Sequence, residues 1–473
     1  MLNPLRWKIL AILGIIQFML VVDATVVNIA LPHIQHDLGF SRAGLSWVVN
    51  GYVLMAGGFL LLGGRLADMF GRRRLFLMGV TIFGIASAIC GAATSPAMLV
   101  TSRFFQGLGE ALAAPAALGL IALLFTDHKE RAKALGAWGG IAGIAGVTGT
   151  IISGLLTNFA SWRWIFYINV PIAILGLIMV PRLVTKSEVA KGKRLDVTGA
   201  LTATAGLITL VYGLLQAISH SWGSRSVLLP VVAGVVLLGA MTLIERRSKD
   251  PLIPSSFFEN HTRLLANFAG LALAATFFAF IYLLTLFEQQ VLGYSPLKGG
   301  LSYVPFGVAL GVGVGMSAGM IPKLGIKPLI VIGFLGSTVG MLLTGLLHVH
   351  AGYAADILPA LLVFGLFNGL LLPAAQTAAL HKVTSDDSSL ASAVQQAISQ
   401  IGGALGLAVL VTIAARYTQH VANAGSMNAD VTHGYTVAFR VSAVILVCAA
   451  VVLAALLRNS KTMAPIDASV PSK

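Results

Sequence analysis

Largely apolar stretches about twenty residues long recur along this chain, from 9–31 near the start to 436–457 near the end, with short polar connections between them. A run of about 20 apolar residues is what a helix needs to cross the hydrocarbon of a bilayer, where every backbone N–H and C=O must find its partner inside the segment. About fourteen such runs can be marked off, which specifies an all-α polytopic membrane protein. Composition agrees, with 57% of the 473 residues hydrophobic and 10% charged, well outside the range of soluble domains. The formal net charge of +14 would suit a nucleic-acid partner, but basic loops beside membrane helices give the same total. The placement of the charges decides for the membrane, so membrane lipids are expected as partners and nucleic acid is not.

The first run follows Arg6 and Lys8 and continues through Asp23 to Pro32 without a small-residue cleavage site. It therefore reads as a retained first helix and not as a signal peptide. With the N-terminus in the cytoplasm, Lys and Arg outnumber those on the other side roughly four to one, as the positive-inside rule requires. An even number of crossings keeps the bias, so both termini are expected in the cytoplasm, with the protein in the cell's inner (plasma) membrane. Two longer polar connections, 185–196 and 246–263, bracket the runs 196–218 and 227–245. The expected organisation is an N-terminal six-helix bundle over 1–182, a linker region with two inserted transmembrane helices over 183–262, and a C-terminal six-helix bundle with a short cytoplasmic tail over 263–473. A weak internal echo supports two related halves. Arg103-Phe-Phe-Gln106-Gly107 is matched in kind by Gly365-Leu-Phe-Asn368-Gly369, and the segment 318–327 is a degraded copy of the charged loop at 63–75, with Pro322 where that loop has Asp68.

Other chemistries find little support. Cys90 and Cys448 both lie in apolar runs, so neither a disulfide framework nor a cysteine metal site is expected. The glycine-rich runs 136–154 and 299–319 lack the Gly-Lys-Ser/Thr of a phosphate loop and read as close helix contacts. Histidines 33, 36, 348, 350, 381 and 433 are scattered and read as loop residues, and no metal is expected. No clustered nucleophile constellation suggests an enzyme.

What does need a reason is the set of polar side chains inside the apolar runs, since an ionisable group in hydrocarbon costs several kcal/mol unless it faces water or a partner. Asp23 lies in the first run; Arg103, Gln106 and Glu110 lie in the fourth. Spacings of three and seven put the latter three on one helix face. At 1.5 Å per residue, Arg103 and Glu110 stand about 10 Å apart along the axis, too far for a tight ion pair. Asp23, about 12 Å deep, and Arg103, about 9 Å deep, could pair across helices, leaving Glu110 near the midplane as the lonelier carboxyl. A carboxyl changes its proton affinity between a wet and a low-dielectric setting, so a cavity that opens alternately could load and release a proton at Asp23 or Glu110, with Arg103 tuning them. The alternative is a fixed Asp23–Arg103 pair with Glu110 bonded to backbone or water. Glu288 ends the ninth run, where an interfacial, solvated role and substrate contact are both open. Asn368, Gln106, Phe278 and Tyr282 are candidates for a substrate cavity, although aromatics more often pack and Asn more often bonds between helices.

Several motifs in order then resemble one family. The loop Gly63-Gly64-Arg65-Leu66-Ala67-Asp68-Met69-Phe70-Gly71-Arg72-Arg73-Arg74-Leu75 is similar to the loop between the second and third helices of the major facilitator superfamily. Asp23-x-Thr25-Val-Val-Asn28-x-Ala30-Leu-Pro32, Arg103 with Gln106-Gly107-x-Gly109, and Trp162-Arg163-Trp164-Ile-Phe166-Tyr-Ile-Asn169-Val-Pro171 look like motifs of its fourteen-helix drug:proton antiporter branch. The fifth-helix stretch Gly149-Thr150-Ile-Ile-Ser153-Gly154 departs from that branch's pattern by lacking a proline, and Glu110 stands where relatives commonly carry a small residue. The resemblance implies the major facilitator fold with about 14 transmembrane helices (6 + 2 + 6) and proton-driven export of lipophilic or cationic small molecules, drugs and antibiotics among them, by alternating access. No cofactor beyond the coupling proton is implied, and a monomer is expected. It gives Gly64, Asp68, Gly71 and Arg72 the role of a cytoplasmic gating latch. Export of an endogenous lipid or metabolite, or uniport or symport on the same fold, are the alternatives.

Overall fold

A computed structural model describes residues 5–125, 128–184, 197–218, 220–247, 260–379, 388–421 and 427–459, and among these it contains helices and no strand. In chain order the long helices are α1 (Arg6–Leu38), α2 (Trp47–Phe70), α3 (Arg72–Gly91), α4 (Pro96–Leu124), α5 (His128–Phe159), α6 (Asn169–Leu183), α7 (Val197–Gln216) and α8 (Arg225–Arg247). The second half follows with α9 (His261–Leu286), α10 (Val304–Leu324), α11 (Ile326–Thr344), α12 (Leu358–Ala379), α13 (Ser388–Val421) and α14 (Met427–Leu456). Among the described residues, twelve helical stretches are long and apolar enough to cross a membrane. Helices α5 and α7, of 32 and 20 residues, stand outside that set. The polar connection expected at 185–196 lies outside the described residues, as do most of the one at 246–263 and the tail from 460 onward.

Each half is built from the same contacts. In the first, α2 and α3 pack on α4, α1 packs on α5, and α3 on α6; in the second, α10 and α11 pack on α12, α9 on α13, and α11 on α14. The echo seen in the sequence has a conformational counterpart. Gly71 separates α2 from α3 at φ +92°, and Gly325 separates α10 from α11 at φ +84°. Both are turns that a residue with a Cβ adopts poorly. Close helix crossings also recur at equivalent glycines: a Cβ on Gly107 of α4 would strike the Tyr52 carbonyl, and one on Gly369 of α12 would strike the Leu310 carbonyl. Small residues at such points let helix backbones approach, the main source of packing energy where lipid removes the hydrophobic drive.

The halves meet where α2 crosses α13, where α1 touches α9, and where α5 meets a short helix, Pro296–Ser302, that precedes α10. Gly154 of α5 sits against the Pro296 carbonyl and Gly300 against the Thr150 carbonyl, so the two glycine-rich runs do meet. Gly311, Gly315 and Gly319 in the second run face open space, with nothing within 4 Å of where a Cβ would stand, and take no part in that contact. The hairpin α7–α8 lies against α2 and α13 through α7. The Thr412 hydroxyl donates to the Leu214 carbonyl at 3.0 Å, and Arg416 donates to the carbonyls of Ala217 and His220. His33, His36 and His433 are helical, at the end of α1 and in the first turns of α14, and not in loops as their scatter suggested.

Gly63 of α2 rests against the Ala111 carbonyl of α4, whereas Gly239 of α8 faces open space. Overpacking a tight contact costs roughly 1–3 kcal/mol. Gly63→Val is therefore expected to lower the melting temperature of the purified protein, read by tryptophan fluorescence, while Gly239→Val leaves it unchanged.

Candidate functional site

Inside the first bundle, groups from five helices form one network around a carboxylate. Asp23 of α1 receives Nη1 of Arg103 on Oδ2 at 2.5 Å, and on Oδ1 it receives Nε2 of Gln106 at 3.1 Å and Nδ2 of Asn169, the first residue of α6, at 2.7 Å. Arg103 donates in addition to the Val48 carbonyl of α2 at 2.8 Å and to Oε1 of Gln106 at 2.9 Å. Gln106 donates to Ser87 at 2.7 Å and accepts from the Cys90 thiol at 3.2 Å, both on α3. The Arg103 guanidinium also lies over the Tyr52 ring, 4.2 Å from its centroid. Asp23 is 0% exposed and Arg103 1%. A buried ion pair holds only when geometry is good and the remaining donors and acceptors are satisfied, and here three donors serve the carboxylate. The pairing across helices inferred from depth is present, and the pair is fully buried.

Glu110 differs. It lies two turns further along α4, is 5% exposed, and its Oε2 is buried without a hydrogen-bond partner. The Tyr52 hydroxyl, which donates to the Leu20 carbonyl at 3.2 Å, is the polar group beside it. Tyr52 thus touches both ends of the constellation, its ring under the guanidinium and its hydroxyl next to Glu110. Arg103, Gln106 and Glu110 share the face that the spacing indicated. Tyr52, Ser87, Cys90 and Asn169 were not among the candidate site residues read from sequence, although Tyr52 and Asn169 fall in stretches that resemble the family's motifs; the residue-level signal was weak, a polar pair three residues apart in α3 and an Asn opening an apolar run.

The second bundle carries no matching ion pair among the described residues. Asn368 of α12 donates to Ser337 of α11 at 3.2 Å and to the Phe364 carbonyl at 2.8 Å. This is the interhelical role, inside the bundle and 1% exposed. Phe278 lies beside Phe277 and against Gly403, and Phe280, Phe306, Phe364 and Phe439 stack into a core, with Phe280 and Phe364 4.2 Å apart. Tyr282 is buried and lines a small cavity between the bundles with Gln35, Leu45, Gln290 and Tyr435. Glu288 is not an interfacial, solvated residue. It is 0% exposed, on a wide helical turn, Phe287–Val291, that ends α9. The short helix that follows, capped by Ser295, folds back over it. A more open cavity of about 510 Å³ lies at the same end of the molecule, lined by Pro32, His33, His36, Asp37 and Trp162 among others. There Asp37 accepts from Trp162 Nε1 at 2.9 Å and Arg163 Nη1 at 2.6 Å.

The charged stretch 63–75 is helical on both sides of Gly71 and not the loop that its glycines suggested; Gly64 of α2 meets Pro115 of α4 at an ordinary distance, and Arg72 of α3 donates to the Gly119 carbonyl of α4 at 2.6 Å. Gly71 supplies the turn, and Arg73 donates to the Pro181 carbonyl at 2.9 Å. The side chain of Asp68 lies outside the described residues. Among the described residues, no three His, Cys, Asp or Glu side chains gather in a way that could hold a metal ion.

Comparison with known proteins matches residues 13–407 to the Major Facilitator Superfamily. A puromycin resistance protein of Streptomyces alboniger is 38% identical over 98% of this chain and 93% of its own length. A lincomycin resistance protein of Streptomyces lincolnensis is 36% identical over 97% and 93%, and a cephamycin export protein of Amycolatopsis lactamdurans is 37% identical over 84% and 82%. Among solved structures, a bacterial homologue of the human lysosomal transporter Spinster, inward-facing and unoccupied, superposes with a TM-score of 0.69 at 17% identity. It covers 95% of this chain and 96% of that one. The inward-open xylose transporter of E. coli superposes at 0.65 and 15% identity over 97% and 98%. These structural likenesses are of fold.

The two carboxyls should behave differently when changed. Removing one partner of a buried pair costs about 3–5 kcal/mol, because the other charge is left stranded. Asp23→Ala is expected to destabilise the purified protein on that scale in a thermal melt, whereas Glu110→Gln, which removes a charge that has no cation, melts at or above the wild-type temperature.

Proposed function

The chain belongs to the Major Facilitator Superfamily, and from that premise we propose that it exports lipophilic or cationic drug-like molecules, antibiotics among them, in exchange for protons by alternating access. The observation that carries the reading is the Glu110 carboxyl, buried with one oxygen unpartnered beside an ion pair that is already neutralised. Asp23 and Arg103 cancel each other and cannot gain or lose charge without breaking four helices' worth of contacts. Glu110 can. A proton and a cationic substrate would compete for its single negative charge, so that binding of one releases the other, which is the linkage an antiporter requires. Asp23 and Arg103 then act as positioning residues, holding Tyr52 under the guanidinium and its hydroxyl against Glu110. Gln106 completes that scaffold.

In this reading all fourteen long helices cross the membrane, α5 and α7 included, and the drug:proton antiporter branch is the family's nearest fit. The puromycin, lincomycin and cephamycin relatives support an antibiotic as substrate. The protein sits in the plasma membrane as a monomer with both termini in the cytoplasm. Gly64, Asp68, Gly71 and Arg72 form the cytoplasmic gate, and the face away from the termini is external. In this reading the seam at that face is the external gate: Gln289 donates to the Ile29 carbonyl at 2.7 Å and Gln290 to Gln35 at 3.0 Å, each joining one bundle to the other. Tyr282 lies beneath that seam; Phe278 and Asn368 serve packing, not substrate.

The test is transport of puromycin and of ethidium, a lipophilic cation, into everted proteoliposomes under an imposed proton gradient. Wild type is expected to accumulate substrate and dissipate the gradient. Glu110→Gln is expected to lose gradient-driven accumulation at least about tenfold, a change of about 1.4 kcal/mol in the driving linkage, while still binding substrate. Full gradient-driven accumulation in Glu110→Gln would sink the assignment, and wild-type accumulation independent of the gradient would favour uniport.

A further inference from the structure

A second buried carboxyl, in the other bundle, has no place in the scheme above. Glu288 is 0% exposed. Its Oε2 lies 2.9 Å from the Ser302 hydroxyl, whose one proton is shared with the Gly299 carbonyl at 2.6 Å, and its Oε1 has no partner. It sits on a wide, five-residue helical turn, Phe287–Val291, a geometry often found at functional positions. The next two residues in the chain, Gln289 and Gln290, make the hydrogen bonds to Ile29 and Gln35 that tie the two bundles together at this face. Tyr435 of α14 steadies the second of these by donating to Gln290 at 3.3 Å.

The groups facing Glu288 come from each element packed on that turn. The short helix Pro296–Ser302 brings Lys298 and Ser302, the connection before it Tyr294, the start of α10 Tyr303, and the turn before α12 Tyr353. Lys298 is the cation in range, but its ammonium lies over the Tyr294 ring, 3.6 Å from the centroid, and makes no ion pair with the carboxylate. Tyr303 is occupied by Thr285 at 3.0 Å and the Ile281 carbonyl at 3.2 Å, and Tyr353 by the Ser302 carbonyl at 2.8 Å. From α14 the contact is Tyr435 on Gln290, not a charge. One hydroxyl donor is little compensation for a full negative charge in a dry site, where an unpaired ion costs several kcal/mol.

We propose that Glu288 is a proton site that latches the external gate, holding the bundles together as the neutral acid and releasing them when its proton passes to water. Ionisation of the O–H leaves a carboxylate that must be hydrated. Hydration requires that the 287–291 turn move away from the Ser295-capped helix, and that motion withdraws Gln289 from Ile29 and Gln290 from Gln35. Proton uptake from an acidic exterior reverses it, so the latch closes after substrate has left. The proposal rests on the alternating-access reading, but not on Glu110 as the coupling residue.

The experiment is a distance measurement. Spin labels at His36→Cys of α1 and Met427→Cys of α14, both exposed positions at this face, are introduced with Cys448→Ser, leaving the buried Cys90. The label-to-label distance is followed in nanodiscs by pulsed electron paramagnetic resonance as pH is raised from about 5 to about 9, the range into which burial moves a carboxyl's titration. Wild type is expected to shift from a short to a long distance across the titration. Glu288→Gln, a neutral isostere of the acid, is expected to fold, to melt no lower than wild type and to stay at the short distance throughout. A wild-type distance indifferent to pH, a Glu288→Gln distance that lengthens as wild type does, or a Glu288→Gln protein that fails to fold would each overturn the latch. Opening that follows pH in wild type and in Glu288→Gln alike, together with normal antiport, would sink the latch alone. Distances that respond neither to pH nor to substrate would sink alternating access with it.

Discussion

The contact between Asp23 and Arg103 organises the first half of the molecule. A guanidinium and a carboxylate, both dry, are tolerable in this setting only because Gln106, Asn169 and the Val48 carbonyl take up the remaining bonds. Satisfying the pair therefore fixes α1, α2, α4 and α6 relative to one another, and Gln106 extends the lattice to Ser87 and Cys90 of α3. Apolar packing in a membrane gains little from excluding lipid, so polar contacts of this kind and close glycine crossings carry much of the burden of specificity. The bundle is rigid where this network holds it, which lets it move as a unit against its partner.

A rigid polar core leaves the conformational chemistry to groups that the core does not neutralise. Glu110 in one bundle and Glu288 in the other answer that description, each buried with one oxygen unpartnered, a feature shared among the described residues by Asp430 of α14. They differ in neighbourhood. Glu110 stands beside Tyr52, on the helix that carries Arg103, deep in the first bundle. Glu288 stands one residue from the glutamines that join the bundles at the face away from the termini. The first is suited to exchanging a proton for a bound cation, the second to sensing whether that face is open to water.

Much of this was legible in the sequence, for physical reasons. The bilayer demands long apolar runs, so helices are marked by the absence of charge, and the rare charges inside them stand out. Counting depth along α1 and α4 was enough to bring Asp23 to Arg103 and to leave Glu110 apart. Neutral polar residues carry no such mark. Asn169 reads as a helix start, Ser87 and Cys90 as small fillers, and Tyr52 as one more aromatic, although all four complete the network. The burial of Glu288 was not legible because a position near a helix end leaves water and substrate both open, and nothing in the linear order reveals that the wide turn and the Ser295-capped helix close over it. Asn368 and the phenylalanines of the second bundle show the reverse case. They are polar or aromatic groups in plausible positions for a ligand, yet Asn368 is bonded to Ser337 of α11 and Phe278 packs beside Phe277 and against Gly403 of α13.

The central claim is that substrate and proton compete for Glu110. It is tested most directly by titrating puromycin or ethidium into purified protein in weakly buffered detergent while following proton release with a pH indicator. Wild type is predicted to release protons as ligand binds, and Glu110→Gln to bind ligand with no release. Equal proton release by wild type and Glu110→Gln, or none from wild type, would contradict the account.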